Sequence, residues 1–186
     1  MKRIGICLLA VMLLFGCTAA EDQMDRALAL RQRIIKAEQC SFDATITADY
    51  TDSVYVFKMH CVSDSQGKVD FEVISPDSIA GITGSISSTQ SNLTFDGQVL
   101  AFPPLADDYI TPVSAPWVMM NTLRSGYIHA CGKSEDGLLI SLDDSYQNEA
   151  LQVDIQLDVQ DMPVSVQMLW KGRKVLALVI ENFTIS

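Results

Sequence analysis

From Cys40 onward, apolar and polar positions alternate along most of the chain. Cys40, Phe42, Ala44, Ile46, Ala48 and Tyr50 are separated by Ser41, Asp43, Thr45, Thr47 and Asp49. Tyr55, Phe57, Met59 and Cys61 repeat the pattern on the way back. A period of two marks strands buried on one face, here a hairpin. A two-residue turn at Tyr50-Thr51 sets Phe42 opposite Met59, Ala44 opposite Phe57 and Ile46 opposite Tyr55, with both apolar sets on one face. That register also puts Cys40 opposite Cys61, close enough for a disulfide. The alternation resumes at Val69-Asp70-Phe71-Glu72-Val73 and breaks at Ser75-Pro76-Asp77. Ile79 to Ile86 reads as a strand weakened by Gly81 and Gly84, and Asp96-Gly97 as a type I′ hairpin turn between two short strands.

The second half repeats the theme with Tyr127 to Cys131, Leu138 to Leu142, Leu151 to Leu157, Val164 to Trp170 and Val175 to Ile185. If Gly172-Arg173 is the last turn, Trp170 faces Val175, Met168 faces Ala177 and Val166 faces Val179. Leu176, Leu178 and Ile180 then point to the other side, where a half-buried strand should be polar. Either other elements of the chain cover that second face, or it is an interface.

Two stretches have helical spacing. In 21–38, Met24, Leu28 and Ile35 fall on one face, flanked by Ala27 and Ile34. Ser114 reads as an N-cap with Pro116 in the first turn, and the helix runs to Arg124 before Gly126. The total is about 11 strands and two helices in a single domain, 21–186, with no repeat or internal linker. Strands in series at hairpin spacing predict a mainly β meander (α+β), an open barrel or strongly curved sheet.

The N-terminus has a different pattern. Met1-Lys2-Arg3 precedes an apolar run from Ile4 to Phe15, the layout of a secretory signal peptide. The run is short of the ~20 apolar residues of a spanning helix. Leu14-Phe15-Gly16-Cys17 resembles the bacterial lipobox, although Phe15 is bulky for its place. The resemblance implies that 1–16 is removed, that the Cys17 thiol takes a diacylglyceryl group, and that 17–20 forms a short tether. Several acyl chains, palmitate among them, would hold the domain stably on the outer face of the cell membrane. Loss of Lys2 and Arg3 leaves 11 basic against 23 acidic side chains, a formal charge of −12. Such a surface is repelled by phosphate backbones and carries no basic stripe, which excludes nucleic acid as a partner.

Residues with catalytic chemistry are sparse. Only His60 and His129 are present, and His60 alternates with Met59 and Cys61 as an outward-facing side chain would. Paired Cys-x-x-Cys, His-Glu-x-x-His and Gly-x-Ser-x-Gly patterns are absent. Ser65-Gln66-Gly67-Lys68 sits in a polar turn without companion motifs, and adjacent carboxylates such as Asp143 and Asp144 point to opposite faces of a strand. The expectation is a non-enzyme without metal or cofactor. Trp117, Met120 and Leu123 lie on one side of the second helix, and Phe102 and Leu105 belong to an apolar loop with Tyr109-Ile110. Each set is a candidate apolar ligand site or lid; plain core packing explains it equally.

Several segments resemble the LolA/LolB superfamily: Phe71 to Pro76, Gly81-Ile82-Thr83-Gly84, Leu93 to Gly97, and Met162-Pro163-Val164 through to Val179-Ile180-Glu181-Asn182-Phe183. Within it the chain looks most like Gram-positive lipoproteins of the germination (GerS) type. The resemblance implies an unclosed antiparallel barrel of about 11 strands with helices on its concave face. It also implies two functions, binding of an acyl chain or lipid in an apolar cavity, or action through an envelope protein partner such as a cell-wall enzyme or a second copy. No functional residue beyond Cys17 carries over.

Overall fold

The computed structural model describes residues 18–87, 91–92, 105–146 and 149–186. The expected signal peptide, the lipobox with Cys17, the Asp96-Gly97 turn and Phe102 lie outside these residues. Helix α1 spans Thr18–Lys36 and helix α2 Ala115–Ser125, the latter entered through a 3₁₀ turn at Pro112–Ser114. Among the described residues ten strands form one antiparallel sheet: β1 Gln39–Asp49, β2 Val54–Asp64, β3 Val69–Ser75, β4 Thr83–Ile86, β5 Ser91–Asn92, β6 Tyr127–Ser134, β7 Gly137–Asp143, β8 Gln152–Leu157, β9 Pro163–Trp170 and β10 Arg173–Ile185. Their order across the sheet is β5-β4-β3-β2-β1-β10-β9-β8-β7-β6. The two end strands do not pair, so the described sheet is unclosed, and both helices lie on its apolar face.

The alternation seen in the sequence is the burial pattern. Phe42, Ala44, Ile46 and Ala48 of β1 point inward with Phe57, Met59 and Cys61 of β2, and Val153, Ile155 and Leu157 of β8 do the same. The register of the first hairpin differs from the expected one by two residues. Cys40 faces Ser63, Phe42 faces Cys61, Ala44 faces Met59 and Ile46 faces Phe57. The reason is a four-residue loop, closed by a bond from Tyr50 N to Ser53 O, with Thr51 at a φ of 74°. Cys40 and Cys61 are therefore diagonal rather than opposed, and both are free buried thiols. The expected disulfide loses its geometric basis. Burial raises the pKa of each thiol, so both stay protonated and unreactive.

Strand β10 corrects a second expectation. Its turn is Lys171-Gly172, with Arg173 opposite Trp170. A bulge between Lys174 and Leu176 then turns Val175 and Leu176 both inward, and Leu176 sits opposite Met168. Beyond the bulge Leu178 and Ile180 face the core while Val179 faces solvent. Intramolecular cover is the outcome for Leu176, Leu178 and Ile180.

In α1 the buried stripe is Ala27, Leu30 and Ile34, spaced i, i+3 and i+7, and Ala37 just past the helix end is buried with it. Leu28 and Ile35, expected on the core face, are exposed. The small Ala27 lets the helix settle closely on its neighbours while Leu30 and Ile34 fill the contact, which leaves Leu28 and Ile35 outside. The expected tether, Thr18–Ala20, is instead the first turn of α1. The strand expected from Ile79 is shorter, because residues up to Gly81 (φ 83°) form a turn that returns Gly81 N to Val73 O.

Helix α2 ends at Gly126 as expected, for a different reason than backbone handedness: φ there is −64°. A Cβ at this position would lie 2.6 Å from Thr122 Cγ2 and 2.8 Å from Asp143 O. The glycine lets the helix end meet β7. Its last carbonyls are capped from outside. Arg31 of α1 donates from Nε to Leu123 O and from Nη2 to Gly126 O, each at 2.7 Å. Hydrogen bonds from a charged donor are worth about 1.5–3 kcal/mol. Arg31→Met should lower stability by about that amount in urea unfolding, and Arg31→Lys should not restore it, because an ammonium lacks the fork that spans two carbonyls. An unchanged midpoint for Arg31→Met would show that these carbonyls are satisfied by water.

Candidate functional site

Among the described residues, large apolar side chains pack between the sheet and the helices. Leu30 and Ile34 of α1, Met119 and Met120 of α2, and Phe42, Ile46 and Met59 of the sheet are all wholly buried. The open space lies at the mouth, as a half-open groove of about 460 Å³ between α2, the segment 108–111, the end of β4 and Asp144. Four apolar side chains give it its floor: Ile86, Ile110, Trp117 and Val118. Ser87, Asp108, Thr111, Ser114, Asn121 and Asp144 line the rest, with Tyr109.

Helix spacing explains the α2 side. Ser114, Trp117, Val118 and Asn121 stand at i, i+3, i+4 and i+7, one stripe on the groove, while Met119, Met120 and Leu123 form the stripe buried behind it. The structure thus separates the predicted set: Trp117 lines the groove, and Met120 and Leu123 belong to the core. Leu105 is buried at the base of the loop. Trp117 is fixed by its indole Nε1, which donates to Gly67 O at 3.1 Å. Arg124, two turns later, donates to Asp64 O and Ser65 O, so α2 is tied to the β2–β3 turn at both points.

The opposite wall is a tight loop. Leu105 N donates to Ile110 O at 2.7 Å, and Ala106, Asp107 and Asp108 take φ values of 56°, 56° and 70°. Three successive non-glycine residues in the left-handed region cost roughly 1–2 kcal/mol each and need outside support. Asp107 Oδ2 accepts from Trp170 Nε1 at 3.0 Å and from Lys171 Nζ at 2.9 Å. The indole bond first, then the ammonium, hold the Asp107 carboxyl below its ordinary pKa. Tyr109 stacks on Trp170 with centroids 4.9 Å apart, and its hydroxyl donates to Asp144 Oδ2 at 2.9 Å. Burial, reinforced by that carboxylate, pushes the Tyr109 pKa up. Asp144 Oδ1 in turn accepts from Leu151 N at 2.9 Å. The groove therefore has rigid walls. Tyr109 was expected in the apolar loop, but Asp144 and Asn121 were not legible as site residues, since the groove joins parts of the chain far apart in sequence.

Elsewhere a shallower cleft of about 330 Å³ lies on the outer face of β2, β3 and β4, between His60, Asp70, Glu72 and Ser85. Its polar groups are engaged. His60 Nδ1 lies 2.8 Å from Asp43 Oδ1, Lys68 pairs with Asp70 at 2.8 Å, and Ser85 donates to Asp70. His129 lies 3.3 Å from Asp143. Among the described residues, no three His, Cys, Asp or Glu side chains are placed to hold a metal. Nor, among them, is any helix long and apolar enough to cross a membrane.

No protein-family model matches the chain, and no curated protein matches it. Solved structures do. An uncharacterized conserved protein from Thermus thermophilus is 13% identical over 91% of this chain and 88% of its own, with a TM-score of 0.41. A LolA superfamily protein from Nitrosomonas europaea is 8% identical over 86% of this chain and 93% of its own, with a TM-score of 0.43. A chain of the Pseudomonas aeruginosa MucA/MucB complex is 13% identical over 91% of this chain, which spans 58% of that neighbour, with a TM-score of 0.41. At these identities and TM-scores no role and no residue transfers to this chain.

Proposed function

We propose that the protein is a non-catalytic binding module, lipid-anchored through Cys17 outside the cytoplasm, whose mouth groove takes an acyl chain or another apolar molecule. The observation that carries this reading is the groove itself. About 460 Å³ lies within the ~300–1,000 Å³ of ordinary ligand sites, and four apolar side chains face six polar ones across it, a lining suited to a molecule with an apolar part and a polar end. A ligand would lie on Ile86, Ile110, Trp117 and Val118, with its polar end toward Ser114, Asn121 or Asp144. Behind α2 the interior is packed with Met119, Met120 and Leu123, which sets the depth of this groove.

That same packed interior favours a second reading, in which the domain acts as a scaffold or activator of an envelope enzyme, as the likeness to germination lipoproteins suggests. Native mass spectrometry of the purified protein separates the two. The ligand reading expects a copurified apolar molecule that is lost in Val118→Asp, a change at a partly buried side chain of the groove, in a variant whose circular dichroism matches that of the parent. Bare protein in both preparations would sink the ligand reading and leave the scaffold.

A further inference from the structure

The stripe that α1 leaves outside the core is part of a larger patch. Leu28 is 41% exposed and Ile35 51% exposed, one helical turn to either side of Arg31. The Arg31 guanidinium reaches across to Gly126 O, and the next residue, Tyr127, is 49% exposed. The Tyr127 ring lies 5.7 Å from that of Tyr146, which is 80% exposed. Tyr146 is also close enough to Arg31 to act on its charge. Two aliphatic side chains and two tyrosines thus surround one arginine on a single side of the domain. The rest of the surface is strongly acidic, with a formal charge of −10 for the whole chain.

What lies against this patch is indicated by the chain that leads into it. The apolar run Ile4 to Phe15 and the Cys17 lipidation motif end where α1 begins, at Thr18, with no spacer between them. A helix joined directly to a membrane-held residue keeps its first turn at the bilayer, and the apolar stripe on its outer side favours lying along the surface over rising from it. The middle of the patch, at Arg31, is 13 residues from Thr18, about 20 Å along the axis at 1.5 Å per residue. Helices that lie in the interface carry aliphatic residues on the lipid side, and tyrosine favours the headgroup level, where its ring is apolar and its hydroxyl wet. Arginine stems suit the same boundary.

We infer that Leu28, Ile35, Tyr127 and Tyr146 dock the domain flat on the bilayer surface, with α1 lying along it. The inference rests on the anchor of the proposed function. The lipid supplies attachment and the patch supplies orientation. Because the side chains that enter the boundary are apolar, docking persists in added salt, although Arg33 and Lys36 beside Ile35 lose their attraction to headgroups there.

The test uses the full chain in its own membrane, with iodination by an external enzyme read at each tyrosine by mass spectrometry. Tyr55, 46% exposed on β2, is the internal reference. Docking expects Tyr146 and Tyr127 to react several-fold more slowly than Tyr55, in low and high salt alike. In Leu28→Glu/Ile35→Glu the protein should stay in the membrane fraction while Tyr146 becomes as reactive as Tyr55. Equal reactivity of Tyr146 and Tyr55 in the membrane-retained parent would overturn the docking and spare the anchor. Shielding that disappears when expression is lowered would identify a second copy over the patch and overturn it too. A parent recovered only in the soluble fraction would remove the anchor and the docking together.

Discussion

Leu178→Asp is expected to leave the chain without its native fold. Leu178 is 1% exposed, on the inner face of β10, opposite Val166 and Ile46. Losing a buried leucine costs about 1.5–3 kcal/mol. Placing a carboxylate there adds several kcal/mol more, since the buried side chains described on this face include no cation to pair with it. Domains are stable by only about 5–15 kcal/mol, so the sum consumes most or all of the margin. Far-UV circular dichroism and size exclusion should show an expanded or aggregated chain. A folded, monomeric variant would mean that this face opens to solvent or to a partner, and the interface reading of the strand would return.

That outcome depends on a bulge that the sequence pattern does not announce. Val175 through Ile180 is apolar at every position, so a period of two has nothing to distinguish and the bulge decides which side chains turn inward. The β1–β2 hairpin shows a related limit. Alternation identifies which residues share a face, and a register shift of two preserves every face. Pairing Phe42 with Cys61 or with Met59 is therefore equally consistent with the pattern, and only the length of the 50–53 loop separates them. Strand β8 was legible because Gln152, Asp154 and Gln156 alternate cleanly with Val153, Ile155 and Leu157. Helix α2 was legible from its ends, Ser114 and Gly126. Its division into a core stripe and a groove stripe was not, since Trp117, Val118, Met119 and Met120 are all apolar and only the position of the sheet tells them apart.

The second large effect is expected at Gly137→Ala. Gly137 begins β7 after the Glu135-Asp136 turn and has a φ of 151°. A Cβ there would lie 2.4 Å from Leu157 O and 2.6 Å from Asp158 O, both backbone atoms that cannot rotate away. The conformation itself is close to glycine-only, with a cost of about 1–3 kcal/mol for another residue, and forced separation of β7 from β8 adds about 1–3 kcal/mol. Thermal unfolding should therefore fall well below that of the parent. Gly132→Ala is the matched control, because a Cβ on that residue of β6 meets nothing within 4 Å. Equal melting temperatures for the two variants would show that the start of β7 is free to move off its neighbour.

The strand order sets when this fold can form. β10 follows every other strand in the chain, yet it lies in the interior of the sheet between β1 and β9. Until it arrives, β1 to β5 and β6 to β9 are two ribbons with no backbone ladder between them. Pairing of Ala48 with Leu176 spans well over a hundred residues, and contacts of that range are made slowly. A chain threaded N-terminus first through a membrane would then emerge almost whole before its two ribbons are stitched. It would stay pliable for the length of the passage and set only once released.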